Sequence, residues 1–199
     1  MDSKFKPVSA IFEDAKAFKL QGNQFYQSKN YKRAIKKYHC ALIQIRAISS
    51  RDTVGRSMSF FGDCVDDGLK YTETVDFKEK VETLELECTK NLAMVFIAEE
   101  KWSQGHKYSR QALDLNEHDE KSTYRYALCS LRLGLIDECK FSVDRLLLLQ
   151  PESKLYLQLQ RDMAERAKKQ SAVAKRMYQN MFQSSWISRI KIQILHLFL

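Results

Sequence analysis

Two helix-spaced pairs of polar residues, with one asparagine between them, are the part of the sequence best suited to chemistry. Lys19 and Asn23 are four residues apart, and Lys121 and Arg125 repeat that spacing, so each pair shares one face of a helix. Asn91 lies between the two pairs along the chain. All five side chains can donate hydrogen bonds, and no carboxylate is among them.

This combination of groups suits the recognition of carboxylates. A terminal carboxylate offers two oxygens, which a lysine ammonium attracts by charge and asparagine amides bind through directed donors. An arginine can hold a second, acidic side chain through two parallel hydrogen bonds. Either pair alone is most often a solvated helix face, so the interpretation depends on a fold that brings all five residues together.

The composition predicts an all-α fold with one sizeable core. The chain has 199 residues, of which 44% are hydrophobic, and only six glycines and two prolines. The five cysteines form no close pair and are odd in number, so reduced thiols are expected and neither a disulfide framework nor a zinc site is indicated. They stand at positions 40, 64, 88, 129 and 139.

Several function classes are disfavoured by the sequence. Residues 154–199 hold nine Lys or Arg and two Asp or Glu, so most of the net charge of +8 lies there and no nucleic-acid partner is expected. Four scattered histidines and the spacing of the glycines indicate no metal site, no cofactor and no enzyme. The N-terminus has no secretory segment, which predicts a cytoplasmic or nuclear location. The histidines are His39, His106, His118 and His196.

A repeat of 34 residues organises most of the chain. Gly22, Ala93 and Ala127 occupy equivalent places in three helix-turn-helix segments, and the interval between the last two is 34 residues. The first interval is 71 residues, which predicts an insertion between residues 49 and 85. Small residues at the crossing let two antiparallel helices approach, while aromatic residues such as Tyr38 in the first repeat fill the flanking gaps.

This pattern resembles the tetratricopeptide repeat family over residues 15–153. Gln21 and Leu146 depart from the family's usual residues, and only the third repeat ends in the expected proline, Pro151. The resemblance implies an α-solenoid of three repeats closed by a long, polar-faced capping helix. The predicted organisation is an N-terminal segment 1–14, repeat one 15–48, an insertion 49–85, repeat two 86–119, repeat three 120–153, a capping helix 154–182 and an apolar tail 183–199.

The five polar residues resemble the carboxylate clamp of tetratricopeptide co-chaperones. They stand in the runs KLQGN, TKNLA and KSTYR. In such a stack the first helix of each repeat lines the concave groove, so Lys19, Asn23, Asn91, Lys121 and Arg125 are expected to converge there. The resemblance implies an adaptor that binds the acidic C-terminal peptide of heat shock protein 90 or 70.

The run KRMYQNMF, residues 175–182, is similar to the end of the repeat region in large FK506-binding immunophilins and in the tetratricopeptide repeat protein nine family. No isomerase domain precedes residue 15, so isomerase activity is not expected. The insertion after the first repeat also fits both groups.

The last segment, SSWISRIKIQILHLFL, leaves three alternatives open. It is rich in large apolar residues but shorter than a spanning helix and interrupted by Arg189 and Lys191. Residues 184–199 could lie on a membrane surface or act as a hydrophobic anchor, pack on the helical stack, or form an unstructured or isoform-specific tail without a folded role, which is the favoured alternative. The alternative function is therefore a scaffold that engages a membrane or another partner through the basic last helix and this tail.

Overall fold

A computed structural model describes residues 6–59 and 75–197, with side chains described for residues 6–50 and 75–182. This part of the chain is all-α, as the sequence predicts, with no strand among its elements. Its seven helices are α1 (Val8–Gln27), α2 (Tyr31–Ser59), α3 (Val75–Ala98), α4 (Trp102–Leu115), α5 (Glu120–Leu133), α6 (Ile136–Leu149) and α7 (Lys154–Leu197).

The first six helices form three antiparallel pairs stacked in chain order, and α7 packs on the last pair. Each predicted repeat supplies one pair, and the repeat landmarks lie at the crossings. Ala93 and Ala127 are fully buried, and Gly105 of α4 packs so closely that a Cβ there would lie 3.0 Å from Cys129 Sγ. Small residues thus set the spacing between neighbouring helices, as the repeat pattern predicts.

The ends of α5 are fixed by local sequence. Asp119 is the N-cap, and its side chain accepts a hydrogen bond from the backbone N–H of Ser122. Gly134 ends the helix with φ of 82°, a left-handed conformation that costs glycine little because it has no Cβ. This helix carries Lys121 and Arg125, so its two caps fix the register of that part of the candidate site.

Three helices extend beyond the predicted repeats. α1 begins at Val8 within the predicted N-terminal segment, while α2 continues to Ser59 and α3 begins at Val75 within the predicted insertion. The extensions of α1 and α3 pack together, with the rings of Phe12 and Phe77 5.2 Å apart. Residues 60–74 of the predicted insertion, between α2 and α3, lie outside the described residues, as does Cys64.

The capping helix is also longer than predicted. Its first turns pack on α5 and α6 through the buried side chains of Tyr156, Leu159 and Met163. The helix then continues past residue 182 to Leu197, so the backbone of the last segment is helical up to there and the favoured unstructured tail is wrong in this respect. Residues 171–182 are all exposed. The side chains of 183–199 lie outside the described residues.

Candidate functional site

Four of the five predicted site residues lie side by side on the first helices of the three pairs. Asn91 Nδ2 donates a hydrogen bond to Asn23 Oδ1 at 3.1 Å, which joins α3 to α1. Arg125 donates a hydrogen bond from its guanidinium to the Lys90 carbonyl oxygen at 3.2 Å, which joins α5 to α3. Lys19 is one turn before Asn23 on α1. These contacts make one continuous row of hydrogen-bond donors across three helices.

Asn23 is oriented by a buried tyrosine. The Tyr38 hydroxyl donates to Asn23 Oδ1 at 2.8 Å, so this oxygen accepts two hydrogen bonds, one from Tyr38 and one from Asn91. Burial, with smaller contributions from Cys88 and Tyr26, raises the pKa of Tyr38 to about 12, which keeps its hydroxyl a neutral donor at neutral pH. Because the oxygen is occupied, the amide N–H groups of Asn23 are the ones directed away and available to a ligand.

The glycine beside Asn23 makes this contact possible. A Cβ at Gly22 would lie 2.6 Å from Tyr38 Cε1, well inside contact distance. Tyr38 reaches under α1 only because residue 22 has no side chain. The sequence pattern places Gly22 and Tyr38 among the packing landmarks, and the structure adds that together they position a candidate binding residue.

Arg125 is half-buried and fixed to its neighbours. Burial lowers the pKa of its guanidinium, while Asp119 and Tyr26 act in the opposite direction. An arginine keeps its charge at neutral pH despite such a shift. One N–H is used by the Lys90 carbonyl, which leaves the other donors of the planar group for an acidic ligand.

Lys121 stands apart from this row. It lies one turn before Arg125 on α5 and is exposed. Among residues 6–50 and 75–182 it has no hydrogen-bond or ion-pair partner. Its ammonium is therefore a hydrated point charge at the edge of the candidate site.

The structure adds two carboxylates that the sequence interpretation missed. Glu87 Oε2 lies 2.5 Å from Lys19 Nζ, and Asp119 pairs with Lys90. Glu87 is four residues before Asn91 on α3, so the helical spacing that relates Lys19 to Asn23 could have drawn attention to it. Two of the lysines at this site thus already have an anionic partner.

Asp119 is a structural anion. Burial alone would raise the pKa of its carboxyl, but hydrogen bonds from Lys90 and Ser122 outweigh it and hold the pKa below its ordinary value. Its carboxylate caps α5 through the Ser122 N–H at 2.8 Å. Lys90, beside Asn91, is neutralised by this contact and contributes little free charge to the groove.

Comparisons with known proteins agree on the architecture. No protein-family model matches the chain. Tetratricopeptide repeat protein 9C of Xenopus tropicalis is 26% identical over 129 residues, which is 63% of this chain and 68% of that protein. The C-terminal repeat domain of a Plasmodium falciparum FK506-binding protein superposes with a TM-score of 0.64 at 17% identity, covering 86% of this chain and 97% of that one. The chain has the helical-solenoid fold of tetratricopeptide repeat domains.

Two further solved structures share this fold. The Hsp90 co-chaperone Cns1 of Saccharomyces cerevisiae gives a TM-score of 0.59 at 18% identity over 88% of this chain and 46% of that one. The first repeat domain of Spaghetti (RPAP3), bound to the HSP90 peptide SRMEEVD, gives 0.51 at 15% identity over 79% of this chain and 95% of that one. Both likenesses concern the helical solenoid.

A groove adjoins the Lys19 end of the row. It lies between α1 and α3 and has a volume of about 570 Å³. Its lining combines apolar side chains with charged side chains of both signs. Among the lining residues are Phe12, Leu20, Leu84, Lys16, Glu79 and Glu87.

Two histidines and three of the four described cysteines have structural partners or buried positions. His106 stacks on Tyr126 and lies 2.9 Å from Glu138, and His39 lies 3.5 Å from the Tyr108 hydroxyl. Burial raises the thiol pKa of three cysteines to about 11 or 12, and these are Cys88, Cys129 and Cys139. Within the described residues no cluster of His, Cys, Asp or Glu could hold a metal ion.

The exposed part of α7 is amphipathic. Its large apolar side chains are all more than half exposed and follow helical spacing, at Val173, Met177, Tyr178, Met181 and Phe182. Basic residues lie beside them along the helix, at Lys168, Lys169, Lys175 and Arg176. Among the described residues no helix is both long enough and apolar enough to cross a membrane.

Proposed function

We propose that this chain is an adaptor that binds the free, acidic C-terminal peptide of a heat shock protein 90 or 70 chaperone. The residues proposed to bind it are Lys19, Asn23, Asn91, Lys121 and Arg125. The observation that carries the proposal is the row of donors held in register by the hydrogen bonds from Asn91 to Asn23 and from Arg125 to the Lys90 carbonyl.

In this proposal the peptide's terminal carboxylate lies between α1 and α3. The Lys19 ammonium supplies charge, and the free amide N–H groups of Asn23 and Asn91 donate to the two carboxylate oxygens. Arg125 and Lys121 bind acidic side chains further along the peptide. Arg125 offers a fixed planar fork and Lys121 a mobile point charge.

The choice of a chaperone peptide rests on chemistry and on the structural neighbours. The row combines cations with amide donors, which suits a ligand that presents several carboxylates close together. Cns1 is an Hsp90 co-chaperone, and the RPAP3 domain carries the acidic peptide SRMEEVD, which ends in an aspartate. This peptide is therefore a suitable probe.

Calorimetry with SRMEEVD as the free acid and as the C-terminal amide tests the proposal. We expect the amide to bind more weakly, because it lacks the terminal charge. Replacing Lys19, Asn23 or Asn91 by alanine should each cost about 1.5 to 3 kcal/mol of binding free energy, as for hydrogen bonds to charged groups. Asn180→Ala on the exposed part of α7 is the matched control and should leave binding unchanged.

The proposal fails if the free acid and the amide bind equally and all three alanine variants keep the wild-type affinity. Helicity by circular dichroism should be the same for every variant, because the three side chains face the groove and contribute little to the core. A loss of helicity would mean that the variant is misfolded, so that its weaker binding says nothing about the site. Asn23→Asp would then be measured instead, because it keeps the shape of the side chain and places a negative charge where the peptide carboxylate is proposed to bind.

A second candidate function rests on α7. Its exposed apolar residues lie beside basic ones, an arrangement that suits the surface of an anionic membrane. Sedimentation with vesicles that contain phosphatidylserine, compared with phosphatidylcholine alone, tests this contact. Deleting residues 184–199 should lower vesicle binding and leave peptide binding intact, and equal sedimentation of both chains would remove this candidate.

A further inference from the structure

The ion pair between Lys19 and Glu87 lies at the α1 end of the proposed clamp, at the residue proposed to attract the terminal carboxylate. It joins α1 to α3, two helices that otherwise meet here through Asn23 and Asn91. The Glu87 side chain is 47% exposed, whereas the Lys19 side chain is 21% exposed. The carboxylate is thus the more solvent-accessible partner and lies where an incoming anion would approach the ammonium.

Glu87 carries the same chemical group as the end of the peptide. A second carboxylate brought to the Lys19 ammonium would be repelled by the first, and both would compete for the same three donors. Binding of the terminal carboxylate therefore requires the Glu87 side chain to move away. This movement needs only rotation about its own side-chain bonds, because nearly half of the side chain is already in solvent.

Asp119, the other carboxylate of the site, cannot move in this way. It caps α5 through the Ser122 N–H and is 15% exposed, so releasing it would uncap the helix. Glu87 makes no comparable backbone contact, and its described partner is the Lys19 ammonium. The two carboxylates therefore have different roles, one structural and one replaceable.

We propose that Glu87 is an internal competitor for the terminal carboxylate of the bound peptide and so determines the specificity of the clamp. An anion that contacts Lys19 alone gains no more than Glu87 already provides. A chain terminus that also binds the amides of Asn23 and Asn91 gains enough to displace it. The inference rests on the proposed function and adds to it the residue that selects free C-termini over isolated acidic side chains.

The expected size of the effect follows from the exposure of the pair. Ion pairs that are partly exposed shift an equilibrium by roughly one and a half to fivefold. Glu87→Gln removes the charge and keeps the shape, so we expect it to tighten the binding of free-acid SRMEEVD by about two- to fivefold. The amidated peptide lacks the group that replaces Glu87, so its affinity should change by less than about twofold.

Two matched variants distinguish loss of the Lys19–Glu87 ion pair from the general electrostatic effect of removing one negative charge. Glu82→Gln removes the same charge from α3 at a residue that pairs with Lys78. Glu79→Gln removes it within the groove that Glu87 lines. Both should change the affinity for the free acid by less than about twofold, since neither residue pairs with Lys19.

A double-mutant cycle with Lys19→Ala completes the test. In the Lys19→Ala background, Glu87→Gln should no longer tighten binding, because the ammonium for which Glu87 competes is gone. Tightening that persists there, or that Glu79→Gln reproduces, would overturn the inference. So would an equal gain for the amidated peptide.

The same measurements distinguish the inference from the function on which it rests. If the wild type binds the free acid and Lys19→Ala weakens it, but Glu87→Gln has no effect, the clamp stands and the competitor role is refuted. If neither the wild type nor Glu87→Gln binds, the proposed function is refuted as well. Binding by Glu87→Gln alone would support both, with a competitor stronger than expected.

Discussion

Removing one oxygen atom from the core tests whether Tyr38 positions the candidate site. Tyr38→Phe keeps the ring that packs under Gly22 and deletes the hydroxyl that donates to Asn23 Oδ1 at 2.8 Å. Asn23 Oδ1 then accepts only the longer bond from Asn91 Nδ2, at 3.1 Å. The Asn23 amide is then held by one hydrogen bond instead of two, so its N–H groups are directed at the ligand for a smaller fraction of the time.

The expected magnitudes are modest and differ between stability and binding. Loss of one neutral hydrogen bond should lower the free energy of unfolding by about 0.5 to 1.5 kcal/mol. Since Asn23 keeps one partner, peptide affinity should fall by less than it does in Asn23→Ala, by about two- to tenfold. Urea denaturation gives the first quantity and calorimetry with free-acid SRMEEVD the second.

Tyr108→Phe is the matched control for this experiment. Its hydroxyl lies 3.5 Å from His39 Nε2, away from the row of donors, and its ring is half-buried. It should leave peptide affinity unchanged. The positioning role of Tyr38 would be refuted if Tyr38→Phe bound the peptide as well as the wild type while Asn23→Ala did not.

Three further predictions concern other residues of the site. Gly22→Ala places a Cβ 2.6 Å from a Tyr38 ring atom, so the free energy of unfolding measured in urea should fall by about 1 to 3 kcal/mol despite alanine's better helix propensity. An unchanged free energy of unfolding would contradict the close approach of Tyr38 to α1. Arg125→Lys should weaken binding of the acidic peptide by about tenfold because lysine lacks the planar fork, whereas Lys121→Arg should change the affinity by less than about twofold. Both effects should become smaller as the salt concentration rises. Equal affinity of Arg125→Lys and wild type would remove Arg125 from the clamp. Asp119→Asn preserves a good N-cap and loses the charge that pairs with Lys90, so it should destabilise the chain by about 1 to 2 kcal/mol at pH 7. Because the folded state lowers the pKa of Asp119, this contribution to stability is present above the ordinary aspartate pKa of about 4 and is lost as the pH falls through the lowered value. A difference in unfolding free energy between Asp119→Asn and wild type that stayed constant down to about pH 2 would contradict the prediction.

The repeat pattern predicted the architecture because it encodes helix crossings directly. Gly22, Ala93 and Ala127 mark the same crossing in each pair, and a small residue there has one physical cause, close backbone approach. The polar pairs on α1 and α5 were found for a similar reason, since residues four apart must share a helix face. Local spacing therefore located both the fold and the types of group at the site.

Contacts between residues far apart in the sequence could not be predicted from local spacing. Lys19 and Glu87 are 68 residues apart, and an insertion separates their helices, so no local pattern links them. Tyr38 looked like a packing residue because its ring does pack, and only the structure reveals the use of its hydroxyl. The end of α7 was predicted too early because the apolar tail was treated as separate, although residues 183–197 contain no glycine or proline to stop a helix.

The length of α7 makes it a molecular spacer. Residues 171–197 continue the helix after Gln170, which donates to the Gly134 carbonyl oxygen at 3.0 Å, and at 1.5 Å per residue they span about 40 Å. One copy of this protein could therefore bind a partner in the groove and a second partner near the end of α7, and the length of the helix would set the distance between them. Deleting four residues from this stretch would shorten the spacer by about 6 Å and rotate its tip by about 40°, so distance and facing direction are coupled.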